Sequence, residues 1–120
     1  MAFPGTFNIS YYKGDTYEFN IYPKDSTGQP FDMNSYAVNF TIADVRGSLK
    51  TLTINSYALL STDGYSVSCA IAPEDGELMT AGTTYAYDVQ ITDQTEGLPY
   101  SRVYTILTGS ISVSEQVTGA

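Results

Sequence analysis

The 120-residue chain contains no histidine and no tryptophan, one cysteine and five basic residues. Each shortage removes a class of function. Without histidine the commonest general base and metal ligand is missing, and with it any Ser–His–Asp or Cys–His triad. A single thiol, Cys69, excludes an intrachain disulfide and, with no histidine beside it, a structural zinc site. Five bases against thirteen acids give a net charge of −8. That leaves no cationic surface to displace counterions from nucleic acid or to adsorb to an anionic membrane. The acidic balance reads as a source of solubility and of soft repulsion between copies. No apolar run approaches the ~18 residues of a membrane span. The N-terminal MAFPGTFN lacks both the basic start and the long apolar stretch of a secretory signal. The expectation is a soluble chain, not exported by the usual route, with neither nucleic acid nor membrane as partner. No G-x-G-x-x-G or Walker-type loop is present, so no phosphate-bearing cofactor is indicated.

What the chain does have is tyrosine, eleven residues against five phenylalanines, in segments that alternate with period two. Period two is strand grammar, and tyrosine favours strands and half-buried positions. Strands are predicted over Phe7–Tyr12, over TYEFNIYP with Tyr17, Phe19 and Ile21 in phase, and over Tyr36–Asp44 with Val38, Phe40 and Ile42 on one face. LKTLTINS follows, with Leu52 and Ile54 in phase. In YSVSCAIA, Tyr65, Val67, Cys69 and Ile71 share a face, which makes Cys69 a small buried hydrophobe. TYAYDVQIT puts Tyr85, Tyr87, Val89 and Ile91 together. Tyr100–Leu107 and Ser110–Ser114 close the set, with a bulge or bend expected at Gly109.

Between these lie turns at Gly14–Asp15, Lys24–Pro30, Arg46–Ser48, Ser61–Gly64 and Asp93–Pro99. PEDGELMT (Pro73–Thr80) opens with proline and acids, as one helical turn does. Seven to eight short strands at roughly 10–15-residue spacing argue for an all-β antiparallel Ig-like β-sandwich with at most one short helical turn. A small barrel is the alternative. Residues 1–120 read as one domain with a short N-terminal arm over about residues 1–6.

Chemistry has little to stand on. Glu74, Asp75 and Glu77 cluster in one loop and Asp88 lies on a strand, but a glycosidase needs two carboxylates across a cleft. The expectation is no enzyme and no catalytic residue. DSTGQPFD spaces Asp25 and Asp32 around a glycine turn with oxygen-bearing residues between, a pattern calcium could use. It lacks the dense acidic repeat and closing glutamate of a strong loop, and reads first as an Asx-type turn, so no metal site is assigned.

In MTAGTTY the order Met79, Gly82, Tyr85 resembles the tyrosine corner of fibronectin-type and other Ig-like domains, whose hydroxyl bonds to nearby backbone. Four further marks run the length of the chain: Gly14-Asp15-Thr16; Asp25, Gly28, Pro30 and Asp32; Gly82, Tyr85, Tyr87, Asp88 and Val89; and Leu107, Gly109, Ile111, Val113, Val117 and Thr118. Taken in order they resemble a family of small tailed-phage virion proteins, similar to the N-terminal domain of phage baseplate upper proteins and to short structural proteins of cyanobacterial phages. The resemblance implies a non-enzymatic structural role in the virion, assembled in the host cytoplasm, present as multiple copies and binding other phage virion proteins. With the sequence ending at Ala120, a free-standing tail or baseplate module or a capsid decoration (cement) protein is expected rather than a fibre-bearing one.

A structural protein must show contact surface, and exposed tyrosine supplies large area at little rotamer cost. Candidate interface residues are Phe3 and Phe7 in the apolar arm, the adjacent Tyr11 and Tyr12, of which at least one must face outward, and Tyr22, Tyr100 and Tyr104. The alternative function is a surface-exposed glycan-binding domain for host adhesion, using tyrosine faces. A calcium-dependent adhesin is a third reading.

Overall fold

The computed structural model describes residues 4–117. Its elements follow the alternation in the sequence. They are β1 (Gly5–Thr6), β2 (Ile9–Tyr12), β3 (Tyr17–Ile21), β4 (Tyr36–Ala43), β5 (Thr53–Leu60), β6 (Val67–Ile71), a one-turn α1 (Pro73–Gly76), β7 (Thr84–Asp93) and β8 (Val103–Ser114). In β4, Phe40 and Ile42 are buried while Ala37 and Asn39 are exposed. In β7, Tyr85, Tyr87, Val89 and Ile91 all point inward and are at most 4% exposed. Burying each such side chain is worth roughly 1.5–3 kcal/mol.

Hydrogen bonding joins the strands into one curled, mixed sheet in the order β1-β8-β7-β4-β5-β6-β3, with β2 also beside β8. The curl comes from β5. Its first half, Thr53 to Ser56, pairs with β4, and its second half, Tyr57 to Leu60, pairs with β6. The sheet thus folds back on itself. Phe19 of β3 reaches across the interior to Phe40 of β4 at 5.5 Å between ring centroids, and to Tyr87 of β7 at 6.3 Å, both edge-on. Such aromatic pairs add about 0.5–1.5 kcal/mol beyond their buried area.

The expectation of a purely antiparallel sheet is corrected at the N-terminus. β1 and β2 run parallel to β8, with Gly5 opposite Leu107 and Ile9 opposite Ile111. A parallel neighbour needs a long crossover, and here most of the fold lies between the two strands. This register buries Ile9 and Tyr11 beside Ile111 and Val113. The N-terminal arm is therefore laid on its own chain from Gly5 onward.

Three boundaries also differ from the sequence reading. β5 starts at Thr53 and runs on to Leu60, so Leu49–Leu52 belongs to the preceding loop. The last two expected strands are one, Val103–Ser114, continuous through Gly109. The irregularity lies between Val89 and Gln90, which face Leu107 and Thr105, leaving Ile106 as the extra residue. Tyr65 precedes β6 and is exposed, while Val67, Cys69 and Ile71 are buried as their phase requires. The helical turn forms where expected, with Pro73 at its start and Glu74 and Asp75 in its first turn.

Two glycines are set by close approach. A Cβ on Gly109 would meet the Phe7 carbonyl oxygen at 2.0 Å, and one on Gly76 would meet the Tyr11 hydroxyl at 1.9 Å. Gly109 lets the segment between β1 and β2 lie against β8, and Gly76 leaves the space that Tyr11 fills.

Candidate functional site

The seven interface candidates separate by burial. Phe3 lies outside the described residues. Tyr12, Tyr22 and Tyr100 are more than half exposed. Phe7 is 42% exposed and packs against Phe19 with the rings tilted and their centroids 6.1 Å apart. Tyr11 is withdrawn as a surface residue: it is 2% exposed, and its hydroxyl donates to the Asp15 carbonyl at 2.6 Å. Tyr104 is half-buried in a cluster with Phe31 and Tyr36, at 6.3 and 6.2 Å between centroids.

A patch does form where β5, β6 and β3 lie side by side. Residues directly opposite in an antiparallel pair share a face. The registers therefore build two rows across the outer surface, Tyr57–Ala70–Glu18 and Leu59–Ser68–Asn20. Tyr22 continues the outward phase of Glu18 and Asn20 just past the end of β3. Tyr57 and Leu59 are 53% and 56% exposed, and Tyr22 is 63% exposed. Ala70 and Ser68 are small, so the centre of this face is a shallow trough between larger side chains. In the middle the Ser68 hydroxyl donates to Asn20 Oδ1 at 2.9 Å. Sequence reasoning left Tyr57 and Leu59 off the candidate list. The available signal was phase: both are odd-numbered in a strand whose inward residue is Ile54.

The opposite outer face, over β4, β7 and β8, is mostly polar, with Ala37, Asn39, Thr41, Asp88 and Gln90 across it and Val103, 48% exposed, at the start of β8. The loop from Asp44 to Leu52 folds down on it. Both oxygens of Asp44 close that loop, accepting from the Thr51 hydroxyl at 2.6 Å and from the backbone N–H groups of Val45, Thr51 and Leu52. The Thr51 hydroxyl, followed by those N–H groups, holds the Asp44 carboxyl down to about 2. Arg46 then straps the loop to the sheet. It donates to Asp88 Oδ1 at 2.7 Å, to Thr108 Oγ1 at 2.6 Å, and to the Tyr87 and Gly109 carbonyls at 3.1 Å. Under the strap lies an open groove of about 210 Å³, lined by Thr41, Ala43, Arg46, Lys50, Ala86 and Gln90 among others. Its carboxylate, Asp88, is taken up by Arg46 and Thr108.

Asp25 and Asp32, the acids of the DSTGQPFD segment, serve local structure. Asp25 Oδ1 accepts from the Thr27 N–H, the Thr27 hydroxyl and the Gln29 N–H. Asp32 Oδ1 accepts from the backbone and side chain of Asn34. The two carboxylates thus close separate turns instead of facing one another. Among the described residues no three acids, cysteines or histidines gather as a cation would need. Cys69 is walled in by the core, and burial pushes its thiol up to about 12.

The corner at Tyr85 has the geometry its sequence suggests. Tyr85 is buried, and its hydroxyl accepts the Thr80 backbone N–H at 2.7 Å. Comparison with known protein families matches none of them to this chain, and comparison with characterised proteins finds no relative by sequence.

Proposed function

We propose that the chain is a non-enzymatic structural protein of a tailed-phage virion, built as an Ig-like sandwich, that works by binding other virion proteins. The observation that carries the reading is the outer face of β5, β6 and β3. Tyr22, Tyr57 and Leu59 stand more than half exposed around small Ala70 and Ser68. Exposed aromatic and aliphatic side chains around a shallow centre are the anatomy of a protein contact. The sequence marks of the phage family support the same reading. The sandwich assignment is supported by Phe19 packing across on Phe40 and Tyr87 and by the hydrogen-bonded corner at Tyr85.

The test is incorporation. Phage carrying Tyr22→Ser, Tyr57→Ser and Leu59→Ser together would be grown and purified, and the chain quantified in particles and in lysate. The reading expects a folded chain that is lost from particles by at least about tenfold, the equivalent of ~1.4 kcal/mol. Undiminished incorporation contradicts this face as the contact.

Glycan binding is the second reading, and Tyr100 favours it. It is 67% exposed, in a shallow concavity of about 300 Å³ that it lines with Asp93, Thr95 and Ser101. An aromatic face beside polar groups is a platform for a sugar ring. Titration with host polysaccharide, wild type against Tyr100→Ala, separates the two readings.

A further inference from the structure

β3 ends the sheet with one edge open. It pairs with β6 and with no other strand among the described residues. The registers say which backbone groups face outward. The Ser61 N–H donates to the Ser66 carbonyl at 2.9 Å, which makes these two a hydrogen-bonded pair at the end of the β5–β6 ladder. Such pairs alternate with non-bonded ones along an antiparallel ladder, so Leu59 with Ser68 and Tyr57 with Ala70 are hydrogen-bonded pairs too. β6 therefore spends the backbone of its even-numbered residues on β5 and that of Val67, Cys69 and Ile71 on β3. Tyr17, Phe19 and Ile21 meet those groups. The N–H and C=O groups of Glu18 and Asn20 are left pointing to the open side.

Exposed edges are usually blunted by lysine, proline or a bulge. Tyr17–Ile21 has none of the three. Its single charge is Glu18. Apolar rings flank the edge on both faces: Tyr22, 63% exposed on the outer side, and Phe7, 42% exposed and packed against Phe19 on the inner side.

We propose that this edge pairs with the β3 edge of a second copy, antiparallel about a two-fold axis between the two Phe19 residues, so that Glu18 of each copy faces Asn20 of the other. Charge selects the register. A two-fold axis at Glu18 would set two carboxylates directly opposite, which is destabilising. An axis at Asn20 would leave each Glu18 carboxylate opposite Tyr22. An axis at Phe19 satisfies all four free backbone groups on each strand and gives each carboxylate a donor. Asn20 already uses its side-chain oxygen to accept from Ser68, which leaves its NH2 group to donate to Glu18 of the second copy. The pairing extends the patch of Tyr22, Tyr57 and Leu59 into one surface twice as long. It is isologous and closes at two copies. The inference needs only a second copy of this chain and stands apart from the virion reading. A five-residue edge is a small interface, so the dimer is weak, with a Kd of roughly 10 μM to 1 mM.

The test is sedimentation velocity across that concentration range on the wild type, Asn20→Lys and Asn20→Glu, with thermal melts to confirm folding. Two symmetric cross-strand contacts change together, so the lysine should tighten the dimer and the glutamate weaken it, each by roughly two- to thirtyfold. Hydrogen exchange on the wild type requires no variant: the Glu18 and Asn20 amides should slow as concentration rises. A chain monomeric throughout, a dimer that both substitutions shift the same way or neither shifts, or exchange at those amides independent of concentration would overturn the proposal.

Discussion

The hydroxyl of Tyr87 donates a hydrogen bond to the carbonyl of Phe7, 80 residues earlier in the chain. This bond ties the N-terminal segment to the centre of the sheet, and Gly109 supplies the space for it. Burial holds the Tyr87 hydroxyl in its protonated, donating form far above the usual tyrosine range.

Tyr87→Phe keeps the ring packing and removes the donor. Leaving the Phe7 carbonyl short of a partner should cost about 1–2 kcal/mol. Gly109→Ala should cost more, because its methyl would lie against that carbonyl oxygen, and it should detach β1 and β2 from β8. Urea denaturation measures both, and amide exchange at Ile9–Tyr12 should rise selectively in Gly109→Ala. A substitution at Gly109 without effect on either would contradict the described packing.

Asp44 makes stability depend on acid. Its carboxyl is held at about 2 in the folded chain against 3.8 unperturbed, so the charged form is favoured by folding. The contribution is fully present above about pH 4 and is lost as pH falls toward 2. The thermal midpoint should decline over that window, and Asp44→Asn should flatten part of the decline while loosening the Arg46 strap. The readouts are melts from pH 2 to 7 and exchange at Thr51 and Leu52.

Cys69 should be inert in the native state. A thiol at about 12 in place of 9 has a thiolate fraction roughly a thousandfold lower at neutral pH, and the thiolate is the reactive form. Labelling with a thiol reagent should be negligible under native conditions and complete in denaturant. Fast native labelling would show that the core opens far more often than this packing allows.

Ser56 is the one described residue with a buried side-chain oxygen and no hydrogen-bond partner. It faces Phe40 where β5 passes from β4 to β6. Ser56→Ala should be neutral or stabilising by up to ~1 kcal/mol, because it removes an unmet hydroxyl. Denaturant midpoints decide this, and a clear loss would indicate that the hydroxyl is satisfied in solution.

Strand faces were legible from local alternation because every inward residue of β4, β6 and β7 lies two positions from the next. The parallel pairing of β2 with β8 was not, since Ile9 and Ile111 carry no local sign of each other. Tyr11 was misjudged as surface because its burial depends on a missing side chain at Gly76, far along the chain. Tyr104 is half-buried because Phe31 and Tyr36, distant in sequence, pack against it. Leu59 obscured β5, because an apolar residue on the outward phase breaks the alternation. That same departure marks the outer patch, where an apolar side chain faces solvent and a partner can cover it.

The central claim is that this chain is a working part of a phage particle. Its most direct test is quantitative mass spectrometry of purified intact particles. The account predicts a constant copy number matching a symmetric ring or lattice, retained through washing that removes host protein. Absence from the particle, or a variable trace that washes away, would contradict it.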